Sequence, residues 1–216
     1  GLIFQDHRTL RFAGADSSSE GQDASIRIVS RGLWQVDALA YVQARNFTNV
    51  VISATSLRKT LDQRNTPSTG LGGKIEIRPP VGSDHQLRIG ADARLSDGML
   101  FEDAYSAVTG LVTARRNAGG NTATFGIFAE NDWKIGAVTL TGGLRADRWT
   151  IDNGFFAERS ANGTVVRDDK FANRASWQTS ARVGALYAAR DGFAFRAAAY
   201  TGFRLPTLNE LYRPFT

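Results

Sequence analysis

The sequence predicts an all-β chain: about nine antiparallel strands of a larger up-and-down transmembrane β-barrel. Three observations lead there. Apolar and polar residues alternate with period two over long stretches. Short turns alternate with long polar segments along the chain. The more polar face of each strand carries Arg, Asp, Gln, Thr and Gly, while its partner face is apolar.

Strands are expected at 7–16, 24–31, 33–47, 69–79, 84–101, 120–133, 137–152, 176–189 and 192–204. In the third, Trp34, Val36, Ala38, Ala40, Val42 and Ala44 oppose Gln35, Asp37, Leu39, Tyr41, Gln43 and Arg45. In the fifth, Leu87, Ile89, Ala91, Ala93 and Leu95 oppose Arg88, Gly90, Asp92, Arg94 and Ser96. In the seventh, Val138, Leu140, Gly142, Leu144 and Ala146 oppose Thr139, Thr141, Gly143, Arg145 and Asp147. The last two repeat the pattern, with Arg182 and Arg196 on the polar-facing sides.

The connections at Arg31-Gly32, Pro79 to Asp84, Lys134 to Gly136 and Arg190 to Gly192 are short. Those at Thr48–Ser68, Glu102–Gly119 and Asn153–Ala175 are long and polar, and a further shorter one spans Ser17 to Asp23. A membrane barrel segregates short turns and long loops to opposite ends, which a soluble sandwich has no reason to do. Several strands also reach the ~9–11 residues that a tilted membrane strand needs. Trp34, Trp133, Trp149, Trp177 and Tyr187 lie near strand ends, where interfacial aromatics are expected.

Composition narrows the chemistry. The 216 residues contain no cysteine and two histidines, His7 and His85, so thiolate and histidine-rich metal sites are not expected. No cofactor or metal is predicted. The net charge is +5, carried by scattered arginines rather than a dense basic run, which does not suit nucleic acid. Residues 69–76, TGLGGKIE, lack the first glycine and the Ser/Thr of a phosphate loop, since Ser68 and Ile75 occupy those positions. Asp168-Asp169 and Glu102-Asp103 are carboxylate pairs of the kind that can bind cations, but solvated loop tips explain them more simply. The N-terminus does not read as a signal peptide.

The C-terminal stretch breaks the alternation. Pro206 cannot donate to a strand ladder, and Thr207 to Glu210, TLNE, matches a capping box for a helix of about one turn before Pro214. Arg204 and Arg213 are placed to pair with Glu210, and Phe203, Tyr212 and Phe215 are expected at the membrane interface. The segment reads as a strand leaving the membrane and bending into a structured loop.

Here the sequence resembles the TonB-dependent outer-membrane receptors. Residues 201–215, TGFRLPTLNELYRPF, are similar to that family's late-barrel signature through Gly202, Phe203, Arg204, Pro206, Thr207, Glu210, Leu211 and Tyr212. Residues 125–149, FGIFAENDWKIGAVTLTGGLRADRW, resemble a hairpin of the same barrel. The resemblance implies a Gram-negative outer-membrane location, with lipid, a plug domain, the remaining strands and TonB as partners. It implies energised uptake of a bulky nutrient such as a siderophore, haem, cobalamin or oligosaccharide, and no bond chemistry. The chain is expected to be an internal piece of the barrel domain (residues 1–216), without plug, signal peptide or TonB box. Arg88, Arg94, Arg145, Arg182 and Arg196 are candidate wall contacts to the plug or an anionic ligand, with structural ion pairs as the competing role. A passive porin-type channel and a barrel hydrolase using His7 or His85 are the alternative functions.

Overall fold

The computed structural model describes residues 1–189 and 192–212. It contains one antiparallel sheet of ten strands. These are β1 (Leu2–Thr9), β2 (Asp16–Arg31), β3 (Gln35–Ile52), β4 (Lys59–Arg78), β5 (His85–Tyr105), β6 (Val112–Ile135), β7 (Val138–Ser160), β8 (Val165–Lys170), β9 (Arg174–Ala188) and β10 (Ala194–Tyr200). One short helix, α1, covers Leu208–Tyr212. Strands pair in chain order, except that β8 pairs the upper end of β7 and β9 pairs the lower. This is the up-and-down meander that the alternation predicts.

Register determines the two faces, because directly paired residues share a side. Ile28, Ala38, Ile75, Ala91, Ile127 and Ala146 form one unbroken apolar row across six strands. Val42, Leu71 and Leu95 form part of another. The large side chains of these rows are exposed, with Ile28 at 62% and Leu71 at 52%. The intervening rows are polar: Arg27, Leu39, Lys74, Asp92, Gly126, Asp147 and Gln178 lie side by side on the opposite, concave face. An apolar exterior over a charged interior is the inverse of a soluble domain and suits lipid outside and a polar lumen inside.

Several expectations need correction. The strand expected at 7–16 straddles a turn: Leu10 donates its N–H to the Ala15 carbonyl at 2.9 Å, and Gly14 takes φ +78°. Ser17–Asp23, expected as a connection, is the first half of β2. The long polar segments are not loops either. The strands continue through them as hairpins whose tips are only 53–58, 106–111 and 161–164. β6, at 24 residues, is roughly 80 Å long at ~3.3 Å per residue, far beyond the bilayer. Beyond lipid neither face must be apolar, so period-two alternation fades while backbone pairing persists. Ion pairs such as Lys59–Asp62 at 2.9 Å and Arg64–Asp103 at 3.0 Å take its place there.

The remaining corrections concern aromatics. Trp149 pairs with Thr124 and Ser176 on the concave face and packs against the small buried cluster, so it is no interfacial aromatic. Trp133 and Trp177 do lie exposed on the apolar face. Tyr212, expected at the interface, is 4% exposed. The chain after β10 turns inward over the concave face rather than leaving it. Arg213, Pro214 and Phe215 lie outside the described residues, as does most of the turn expected at Arg190 to Gly192.

Among the described residues, β1 and β10 do not pair with each other, so two strand edges stay open. Lipid offers no hydrogen bonds to open edges. The 216-residue chain by itself is therefore expected to aggregate and to give no stable conductance in planar bilayers. A monomer whose gel mobility shifts on heating, as closed barrels do, would contradict this.

Candidate functional site: the concave face and the segment across it

The concave face is built from cross-strand charge pairs. Its centre is Arg145 on β7. The row Asp92–Gly126–Asp147 runs beside it, and Gly126 leaves a gap between the two carboxylates. Arg145 lies across that gap. Its Nη1 and Nη2 donate to the two oxygens of Asp92 at 2.5 and 2.9 Å, and its Nε donates to Asp147 Oδ2 at 2.8 Å. Nη2 reaches Asp147 Oδ1 at 2.5 Å. Any side chain at 126 would collide with the guanidinium and with Asp147. Asp147 is 1% exposed, and removing its partner would leave a buried carboxylate at a cost of about 3–5 kcal/mol.

A second cluster lies nearer the short turns. Arg88 bridges Glu130 at 2.7 Å and Asp132 at 2.5 Å, Arg182 reaches Glu130 at 3.2 Å, and Thr141 donates to Asp132 at 2.6 Å. A third sits in the hairpins, where Arg116 contacts Glu102 and Glu158. Of the five candidate wall arginines, Arg88, Arg145 and Arg182 are thus held by carboxylates of this chain. Among the described residues, Arg94 donates only to the Tyr41 hydroxyl, at 3.3 Å. Arg196 pairs with Leu186 at the short-turn end of the same face and has no carboxylate partner among the described residues. The partner carboxylates went unnoticed in the sequence because their pairing depends on inter-strand register. The signal that could have found them is a set of acidic residues sharing the arginines' parity on neighbouring strands.

The signature segment crosses this face near the long hairpins. Thr207 caps α1: Glu210 N–H donates to Thr207 Oγ1 at 3.2 Å, and Thr207 N–H donates to Glu210 Oε2 at 2.7 Å. This is the reciprocal capping box expected from TLNE. Arg204 grips the same carboxylate with both amino groups at 3.0 Å. Arg204, followed by the Thr207 donors, holds the Glu210 carboxyl down at about 2. Tyr212 anchors the segment. Its ring lies over Gly154 and Gly120, stacks on Phe171 at 4.9 Å, and joins Leu100, Ala118, Ile151 and Phe156. A Cβ at 154 would overlap the phenol. Leu208 and Leu211 pack against the same cluster. Gly202, Phe203, Arg204, Pro206 and Thr207 line one side of a cleft of about 1060 Å³. Tyr41, Arg94, Thr124 and Arg145 are on its other walls.

The histidines of the hydrolase alternative are far from this cleft in the sheet. His85 starts β5 at a short turn, stacked 5.5 Å from Trp133 and hydrogen-bonded to Asn131. His7, in β1, lies 3.9 Å from Asp16.

A lipid-compatible exterior, a charged interior and a meander of long strands define a wall section of a large membrane barrel. The family model described as TonB dependent receptor-like, beta-barrel matches residues 5–216, and the chain belongs to that family. Barrels of this family are outer-membrane proteins of Gram-negative bacteria. Two solved structures share the fold. The ferric yersiniabactin uptake receptor FyuA from Yersinia pestis is similar with a TM-score of 0.60 at 12% identity, over 80% of this chain and 26% of that one. The ferric-catecholate import receptor Fiu from E. coli K12, in its open form, gives 0.54 at 15% identity, over 80% and 33%. The chain therefore spans about a quarter to a third of the length of these receptors. No curated protein matches it.

Two outcomes test the site. Tyr212→Ala removes a packed aromatic, a change that costs roughly 3–5 kcal/mol in a core. Both it and Gly154→Val should release residues 201–212, seen as faster proteolysis there with unchanged strand content; protection equal to wild type would contradict the anchoring. Glu210 should titrate near 2 by carboxyl NMR and move up toward its ordinary 4.5 in Arg204→Gln. Because its folded value is depressed, its stabilisation of α1 is complete above about 4.5 and disappears as pH falls through 2.

Proposed function

We propose that this chain is part of the wall of an outer-membrane receptor that takes up a bulky nutrient with energy relayed by TonB. The observation that carries this reading is the inward-turned signature segment over a charged concave face, in a chain of the TonB-dependent receptor family. A passive pore gains from an unobstructed lumen. Here α1 and Tyr212 narrow the concave space instead, as suits a binding vestibule. The residues 1–216 belong, in this reading, to a barrel domain whose plug and remaining strands come from other parts of the receptor. The wall performs no bond chemistry. It positions the plug and the nutrient while the plug moves. The neighbouring receptors are named for ferric yersiniabactin and ferric catecholates, which favours an iron chelate over haem, cobalamin or an oligosaccharide.

The decisive measurement is uptake by a deletion strain complemented with the complete receptor, on a panel of ferric chelates, haem, cobalamin and oligosaccharides. One panel member should support growth only when the receptor and TonB are both present. Uptake that continues without TonB would point to a passive channel and overturn the reading.

A further inference from the structure

We infer that Arg94, held by Tyr41, is a seat for a carboxylate that enters the cleft from outside this chain. The inference rests on the receptor reading above and narrows it to one residue and one chemistry. Five cations line the cleft, and four are already matched. Arg45 pairs with Asp23, Lys74 with Glu76, Arg145 with Asp92 and Asp147, and Arg204 with Glu210. Arg94 has no carboxylate partner among the described residues.

Its nearest carboxylate along the strand cannot serve. Asp92 lies two residues away on the same face, but Arg145 donates to both of its oxygens. Asp147 is engaged through both oxygens by the same guanidinium. The Arg94 side chain is nevertheless aimed. Its Nε donates to the Tyr41 hydroxyl at 3.3 Å, and the Tyr41 ring lies over Gly72, the residue paired directly between the two on β4. Tyr41 takes the Nε edge, and the two terminal amino groups have no hydrogen-bond or ion-pair partner among the described residues. Thr124 is paired directly beside Arg94, and Ser96 lies two residues on along the same face, both lining the cleft with hydroxyls. A planar fork flanked by hydroxyl donors, with Asp92 and Asp147 of its own face both engaged by Arg145, fits a carboxylate bound through both oxygens.

The carboxylate can come from the transported compound or from an acidic side chain of polypeptide lodged in the lumen. Arg94→Gln and Arg94→Lys in the complete receptor distinguish these sources. Ferric citrate serves as the carboxylate probe and an uncharged ferric trihydroxamate as its control. If the transported compound supplies the group, Arg94→Gln weakens ferric citrate binding about tenfold or more, leaves the trihydroxamate and Tm unchanged, and Arg94→Lys recovers part of the loss. If lumenal polypeptide supplies it, Arg94→Gln lowers the urea concentration that releases that polypeptide and leaves both chelates unchanged, with partial recovery again in Arg94→Lys. Neither binding nor release changing in Arg94→Gln would overturn the inference. That result would leave TonB-dependent uptake intact, whereas failure of the receptor reading would abolish it in the unmodified protein.

Discussion

Backbone hydrogen bonding in a medium without water is the constraint from which this structure follows. Each strand must give its N–H and C=O groups to a neighbour, because lipid accepts none. The ten-strand meander meets that demand over its interior strands, and its register shifts fall in the long hairpins rather than along the apolar rows. Continuous register then makes each row of paired residues share one face. Ile28 to Ala146 can be apolar across six strands only because no slip intervenes. A slip of one residue would carry Asp92 and Arg145 into lipid.

The same register organises the interior. Arg145 meets Asp92 because β5, β6 and β7 bring the two within reach across a glycine. The pair is 53 residues apart in sequence. Most individual bridges here are partly exposed and contribute little singly. Their larger effect is to hold the face in one arrangement, with Arg88, Arg116, Arg145 and Arg182 engaged. Against that background Arg94 stands out, and so does the route of the chain after β10. Tyr212, Glu210 and Arg204 pin that segment across the wall, so the receptor signature is also a packing element.

Much of this was legible in the sequence. The parity of residues 33–47, 84–101 and 137–152 specified strands and faces correctly, because lipid on one side enforces strict alternation. TLNE gave away its capping box, since that motif is local. Alternation failed outside the membrane. There Lys59 to Gln63 and Arg115 to Asn117 look like loop sequence yet pair as strands, because water tolerates polar groups on either face. Trp149 was misplaced by its nearness to an expected strand end; its parity, shared with Arg145 and Asp147, already puts it on the concave face.

The sequence by itself determined the fold class, the membrane-facing rows, the family signature and the one-turn helix, since each is written in contiguous residues or a period of two. Only the tertiary structure decided which arginines are neutralised, how far the hairpins rise, and that Tyr212 turns inward. Those outcomes depend on which residues meet across strands. The meetings of Arg145 with Asp92 and of Tyr212 with Gly154 exist only once the sheet has assembled.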